Sequence, residues 1–324
     1  MPDIVGIGEL LVDFTYVSGE NGDTFYKQNA GGAPANVMCM AAKLGAKTGF
    51  IGKIGRDMFG FYLKEVLTRH KVDISGLILD PNYSTTLAFV RNSADGDRDF
   101  VFYRSSQTSA DLNLRYGEVN RQLIDSCKVF HFGSLSLTDE PSRTATVNAV
   151  EYAKMQEKIV TYDPNWRPHL WENKETAIRT MRSAAQYADI VKVSELELQL
   201  LSDSGALIPG VAKLLQMGVK IICVTQGAKG CIIATPKGIN RFPAYKTKTV
   251  DTLGSGDGFF GAFLYKFLET GKSIEELDSD DIKEMAMFSN ACGALCASKQ
   301  GAIPAMPDMS DIETLMKSQP LEDE

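Results

Sequence analysis

Two carboxylates bracket a glycine-rich turn in Asp251-Thr252-Leu253-Gly254-Ser255-Gly256-Asp257-Gly258, which runs directly into the apolar stretch Phe259-Phe260-Gly261-Ala262-Phe263-Leu264. Glycines at a helix start let the backbone approach an anion closely. The unpaired N–H groups and dipole of the first turn stabilise negative charge there. The turn Gly254-Ser255-Gly256 can therefore seat a phosphate, and Asp257, at the positive end of the same helix, can stay ionised and take a proton from a hydroxyl. A loose phosphoryl-transfer transition state needs only a modest carboxylate base held beside both reactants. The same residues also fit a flexible loop closed by a capping Asp, and G-x-G-D alone does not separate the two.

A second glycine cluster, Asn29-Ala30-Gly31-Gly32-Ala33-Pro34-Ala35-Asn36-Val37, again leads into an apolar helical stretch. Pro34 suits a first helical turn. Gly31 and Gly32 would let a polyhydroxylated ligand touch backbone amides, and Asn36 offers both a donor and an acceptor. A plain strand-to-helix turn with Asn36 in solvent accounts for the cluster equally well. Other nucleotide chemistries lack their signatures. No G-x-x-x-x-G-K-[ST] occurs, and Leu11 stands where a dinucleotide fingerprint beginning at Gly6 needs its third glycine. His70, His131 and His169 precede Lys, Phe and Leu, so no H-R-D catalytic loop exists.

The elements that must hold these turns read as alternating strands and helices. β-rich runs recur at Asp3–Leu10, Thr48–Gly55, Val129–Gly133, Ile159–Asp163, Ile190–Val193 and Ile221–Thr225, several separated by helical patterns, which implies parallel strands with crossover helices. Asp57–His70 has helical apolar spacing with Asp57 as its cap. Val12–Ala30 and Tyr83–Arg104 break the rhythm and read as a small β appendage, the second as two runs around Ser93-Ala94-Asp95-Gly96-Asp97. In the run from Phe100 to Arg104 bulky residues alternate, Phe100 and Phe102 to one side, Val101 and Tyr103 to the other, so both faces of this sheet require cover.

Composition narrows the classes. The 324 residues are 44% hydrophobic and 23% charged, enough for a sizeable core, and the net charge of -7 offers no general attraction for nucleic acid or an anionic membrane. No apolar run is long enough to span a bilayer. The six cysteines lack a C-x-x-C pair and sit among apolar neighbours, as expected of buried thiols in a reducing compartment. Cys292 and Cys296 share a helical face, for which packing is the simpler reading. The chain opens on a strand-like segment without a basic and apolar leader, and a cytoplasmic location is expected. The tail Leu321-Glu322-Asp323-Glu324 is expected to fray.

Together these segments resemble the ribokinase-like family of sugar kinases. The resemblance rests on G-x-G-E-x-x-x-D from Gly6 to Asp13, Gly-Gly-Ala-Pro-Ala-Asn at 31–36 and Asp-Thr-x-Gly-x-Gly-Asp at 251–257, with Val224–Gly230 and Asn290 as further matches. It implies a doubly wound, mostly parallel α/β sheet flanked by helices, with a small β-sheet lid. The main domain would comprise residues 1–11, 31–82 and 105–324, and the lid 12–30 and 83–104. It further implies Asp257 as base and Gly254, Ser255 and Gly256 as anion hole. ATP would sit among Lys192, Ser194, Thr225, Gly227, Gly230 and Asn290. The family's Asn-x-x-Glu segment appears here with Ser194 in place of Asn, and Glu197 is expected to act on Mg²⁺ through water. Asp251 and the Leu253 carbonyl match a monovalent-cation site of several relatives, making K⁺ a further candidate.

The choice of sugar follows from three segments. Asp163-Pro164-Asn165-Trp166-Arg167-Pro168-His169-Leu170-Trp171 resembles the D-x-N-x-R-x-x-L-W segment of fructokinases; Phe100–Asp111 and Gly301–Pro307 resemble two more. The implied sugar contacts are Asp13, Gly31, Gly32, Asn36, Phe102, Arg104 and Arg167. Arginine forks and a carboxylate suit an oxygen-rich ligand. The expected reaction is ATP-dependent phosphorylation of fructose to fructose 6-phosphate. A 2-keto-3-deoxygluconate kinase and a catalytically silent sugar-binding regulator are the alternatives, the intact Asp257 turn arguing against the latter. Relatives often pair through such lids, so a homodimer is expected, with no nucleic-acid or membrane partner.

Overall fold

The computed structural model describes residues 1–18, 23–92 and 98–320. The expected turn at residues 93–97 and the tail at 321–324 lie outside them, as does the Phe100 side chain. Among the described residues thirteen strands follow in chain order: β1 (Ile4–Ile7), β2 (Leu11–Ser18), β3 (Thr24–Gly31), β4 (Thr48–Gly55), β5 (Asp73–Asp80), β6 (Leu87–Asn92), β7 (Arg98–Tyr103), β8 (Val129–Gly133), β9 (Ile159–Asp163), β10 (Ile190–Ser194), β11 (Ile221–Thr225), β12 (Cys231–Thr235) and β13 (Gly238–Phe242). The helices are α1 (Ala33–Leu44), α2 (Met58–Arg69), α3 (Arg121–Ser126), α4 (Ser142–Met155), α5 (Lys174–Ala185), α6 (Glu195–Ser202), α7 (Leu207–Gln216), α8 (Ser255–Thr270), α9 (Ser279–Ala297) and α10 (Met309–Ser318).

Nine strands form one sheet in the order β13-β12-β11-β10-β9-β8-β1-β4-β5, parallel from β11 to β5 and closed at the other edge by the antiparallel β12 and β13. Its inner strands are buried on both faces because helices cover both. Successive residues enter opposite cores: Ile4, Val129, Ile190 and Ile221 face α1, α8 and α9, while Val5, Phe130, Val191 and Ile222 face α4, α5 and α7. Helix α8 is anchored along Phe259, Phe260, Phe263 and Phe267, all buried. Each such side chain contributes roughly 1.5–3 kcal/mol, so the turn preceding α8 rests on a fixed base.

The remaining strands pair as β3-β2-β6-β7, with β2 and β6 parallel and the other pairs antiparallel. Register puts Asp13, Asn29, Ala88 and Phe102 on one face. On the other, Phe14 stacks on Phe89 at 5.0 Å and meets Phe59 of α2 edge-on at 5.7 Å, while Tyr103 contacts Phe89 at 5.6 Å. Helix α2 thus covers only part of that face, and Val101 and Tyr103 stay 55% and 65% exposed. Asp57 caps α2 by accepting the Gly60 N–H, and its carboxylate also takes the N–H and hydroxyl of Thr85, where the chain enters β6. All six cysteines are buried free thiols. Among the described residues no helix is long and apolar enough to cross a membrane.

Candidate active site

Parallel strands end on one edge of the large sheet, and the turns leaving β1, β9 and β10 converge there with the start of α8. Gly254, at φ 73, swings the chain into α8, whose first turn carries Asp257. Asn36, in the first turn of α1, donates from Nδ2 to Asp257 Oδ2 at 2.8 Å, so the two glycine clusters of the sequence meet through this bond. Glu9, from the turn after β1, accepts the Ala33 N–H at 2.9 Å and caps α1 from a distance in sequence.

Lys192, near the end of β10, is buried and donates to Asp163 Oδ2 at 2.9 Å. A side chain at Gly256 would place its first carbon 2.7 Å from the Lys192 ammonium and displace it. Burial alone would favour loss of the lysine proton, but the carboxylates of Asp163, Glu197 and Asp257 outweigh it and raise its pKa. Burial holds Asp257 above the ordinary carboxylate range, against the opposing pull of Lys192, the Asn36 bond and Arg167.

Glu197 forms a capping box with Ser194 at the start of α6. Its Oε2 accepts the Ser194 N–H at 2.7 Å and hydroxyl at 2.9 Å, and its Oε1 accepts the Trp166 N–H at 2.7 Å. Burial works to raise its pKa, but Lys192 and these donors prevail and lower it. With three donors already on it, this carboxylate suits contact with a hydrated cation through water better than direct coordination.

A cavity of about 290 Å³ opens over Asp257. Asp13, Gly32, Asn36, Phe102 and Arg167 line it as the sequence suggested for sugar contacts, together with Lys192, Ser194 and Glu197. Gly31 lies against the Asp13 carboxylate rather than on the wall. Arg104 departs from expectation. Its buried guanidinium donates to Asp111 Oδ2 (2.7 Å), Thr138 Oγ1 (2.9 Å) and the Leu135 carbonyl (2.9 Å), so it braces the small sheet to the body beside the cavity rather than lining it. Sequence reasoning missed Glu9, Leu135, Asn165, Trp166 and Leu196 on this wall. Glu9, Asn165, Trp166 and Leu196 lay inside motifs already read, Leu196 as an unspecified position between Ser194 and Glu197; Leu135 carried no signal.

A second cavity of about 380 Å³ is lined by Thr225, Gly227, Gly230 and Asn290, and by Tyr245, Lys246 and Thr247 of an irregular segment that no motif marked. Lys192 and Ser194, expected at a nucleotide, lie on the first cavity instead. Asn290 donates to the carbonyls of Phe242 (3.1 Å) and Pro243 (2.9 Å), anchoring that irregular segment. The two cavities share Thr252 and Gly256, and Ser255 faces the second. Asp251 accepts the N–H groups of Leu253 (3.1 Å) and Gly301 (2.9 Å), which ties the turn to the chain near its C-terminus. Among the described residues no group of three or more His, Cys, Asp or Glu side chains is arranged to hold a metal ion.

Comparison with known proteins agrees with this geometry. The model of the pfkB family carbohydrate kinases matches residues 1–309. A probable fructokinase-5 from Arabidopsis thaliana is 43% identical over 323 residues, covering 98% of each chain. The crystal structure of a fructokinase with bound ATP from Xylella fastidiosa superposes with a TM-score of 0.90 at 31% identity, over 99% of this chain and 100% of that one. A fructokinase double mutant from Vibrio cholerae, in its fructose-, ADP- and potassium-bound form, gives a TM-score of 0.86 at 30% identity over 97% and 98%.

Proposed function

Because this chain belongs to the pfkB family of carbohydrate kinases, we propose that it transfers the γ-phosphoryl group of ATP to fructose, giving fructose 6-phosphate. The observation that carries this reading is the junction at Thr252 and Gly256, where a polar cavity holding Asp257 meets a second cavity at a helix N-terminus. Sugar in the first and ATP in the second would bring a hydroxyl and the γ-phosphorus together over the 254–256 turn. Asp257 takes the hydroxyl proton as the oxygen bonds to phosphorus and the bond to ADP breaks. The N–H groups of the turn and the Lys192 ammonium offset the charge on the transferring group. Hydrated Mg²⁺ near Glu197 would neutralise the nucleotide phosphates. The test is product analysis by NMR after incubation with ATP, Mg²⁺ and either fructose or 2-keto-3-deoxygluconate. Phosphate on the fructose 6-hydroxyl is expected; efficient turnover of ketodeoxygluconate with none of fructose overturns the assignment.

The small sheet serves as a lid in this reading, since Asp13 and Phe102 enter the sugar cavity from it while Asp257 belongs to the body. Its outer face supports a homodimer: Val101, Tyr103 and Tyr26 form an apolar surface that α2 leaves bare. Sedimentation across micromolar concentrations is expected to show a dimer that Tyr103→Glu dissociates. A monomer at every concentration would refute the pairing without touching the kinase reading.

A further inference from the structure

We propose that Asn165 is a sugar-recognition residue whose carboxamide takes one hydroxyl of the acceptor in the cavity shared with Asp13, Asn36 and Asp257; the proposal rests on reading that cavity as the sugar site. Asn165 follows β9 with φ 45, in the left-handed region. Glycine is the least strained residue there, and Asn is the commonest substitute because its side chain bonds to nearby backbone. That explanation fails here: only the backbone N–H of Asn165 is used, donating to Asp163 Oδ1 at 3.1 Å, and its carboxamide makes no hydrogen bond with any described residue.

The conformation is imposed from outside the residue. On one side the Pro164 carbonyl accepts the Ser134 hydroxyl. On the other, the Trp166 N–H is held by Glu197 at 2.7 Å and its carbonyl accepts Arg167 Nη1 at 3.0 Å. Asp163 is itself fixed by Lys192. The backbone of this loop is thus referenced to the two charged groups that flank the base, Lys192 and Glu197. A residue held in a sparsely populated conformation by surroundings that over-determine it, with an unspent polar side chain on a cavity wall, is organised in advance for a ligand. A carboxamide can donate to or accept from a hydroxyl, so it distinguishes sugars by where a hydroxyl stands.

Asn165→Gly separates recognition from turn geometry, because glycine adopts the same backbone without strain. The variant should keep or raise Tm. Its KM for fructose should rise roughly 3–10-fold, the loss of one neutral hydrogen bond, while KM for ATP stays within about twofold. Fructose analogues lacking one hydroxyl at a time identify the partner: for one of them the KM penalty shown by the unaltered protein should vanish in Asn165→Gly. An unchanged fructose KM, or a rise that leaves every analogue's penalty intact, would assign Asn165 to the turn alone. If the unaltered protein turns over no ketose, the sugar-site reading falls and this proposal with it.

Discussion

Asp257→Asn is expected to lower turnover roughly 10²–10⁴-fold while leaving fold and ligand binding largely intact. The amide is close in shape and can still face Asn36, but it cannot take the hydroxyl proton. The pH profile sharpens the test. Asp257 works only when ionised, and burial raises its pKa above the ordinary 3.8, with Lys192, Asn36 and Arg167 opposing. Activity should therefore fall as pH drops through a value above that ordinary one, and the same limb should be missing from the residual rate of Asp257→Asn. Initial rates at saturating sugar and ATP across pH measure both effects. Near-native turnover in a folded variant would remove Asp257 from the chemistry.

How much of this was legible in sequence depends on whether a residue's role is local. The strands Thr48–Gly55, Val129–Gly133, Ile159–Asp163 and Ile221–Thr225 occur where their apolar runs end, because a strand buried on both faces has no polar side to blur its limits. The run expected over Asp3–Leu10 stops at Ile7, since Gly8 turns the chain and Glu9 leaves the sheet to cap α1. Strand β5 and the β12–β13 hairpin were missed. β5 and β13, at the two edges of the sheet, have exposed positions and lack a continuous apolar run, whereas β12, one strand in from the edge, is a buried apolar run of only five residues, Cys231–Thr235.

The site followed the same logic. Asp257 and Asn36 stood in glycine turns and could be found, although their bond joins residues 221 positions apart and only topology makes it. Arg104 had the chemistry for a sugar, but its bonds to Asp111, Thr138 and Leu135 join the small sheet to the body, and no local pattern announces them. Glu197 was readable as a carboxylate near phosphate. Its hold on the Trp166 N–H was not, because that contact joins the turns leaving two neighbouring strands, β9 and β10, across the crossover connection between them.

Lys192→Met should be the most destabilising single change at the site, by about 3–5 kcal/mol near neutral pH, since it leaves buried carboxylates without their cation. Asp163 loses its 2.9 Å partner, and Asp257 and Glu197 lose the charge that draws their pKa values down. The pH dependence has a definite sign. Asp163 and Asp257 already have pKa values raised by burial against the pull of Lys192, and without the lysine they rise further. A carboxyl whose folded pKa exceeds its unfolded value favours the folded state in acid, and that advantage is lost as pH rises through the folded pKa. The deficit of Lys192→Met should thus be small near about pH 4.5 and grow toward about pH 7.5, while loss of a mere packing contact would be flat across the range. Lys192 itself contributes no slope to the unaltered protein in this window, because its pKa is raised far into the alkaline range. Urea unfolding of both proteins at several pH values reads the difference directly. A deficit below about 1 kcal/mol, or one independent of pH, would make this buried pair worth no more than a surface ion pair and undo its role in holding the carboxylates of this site ionised.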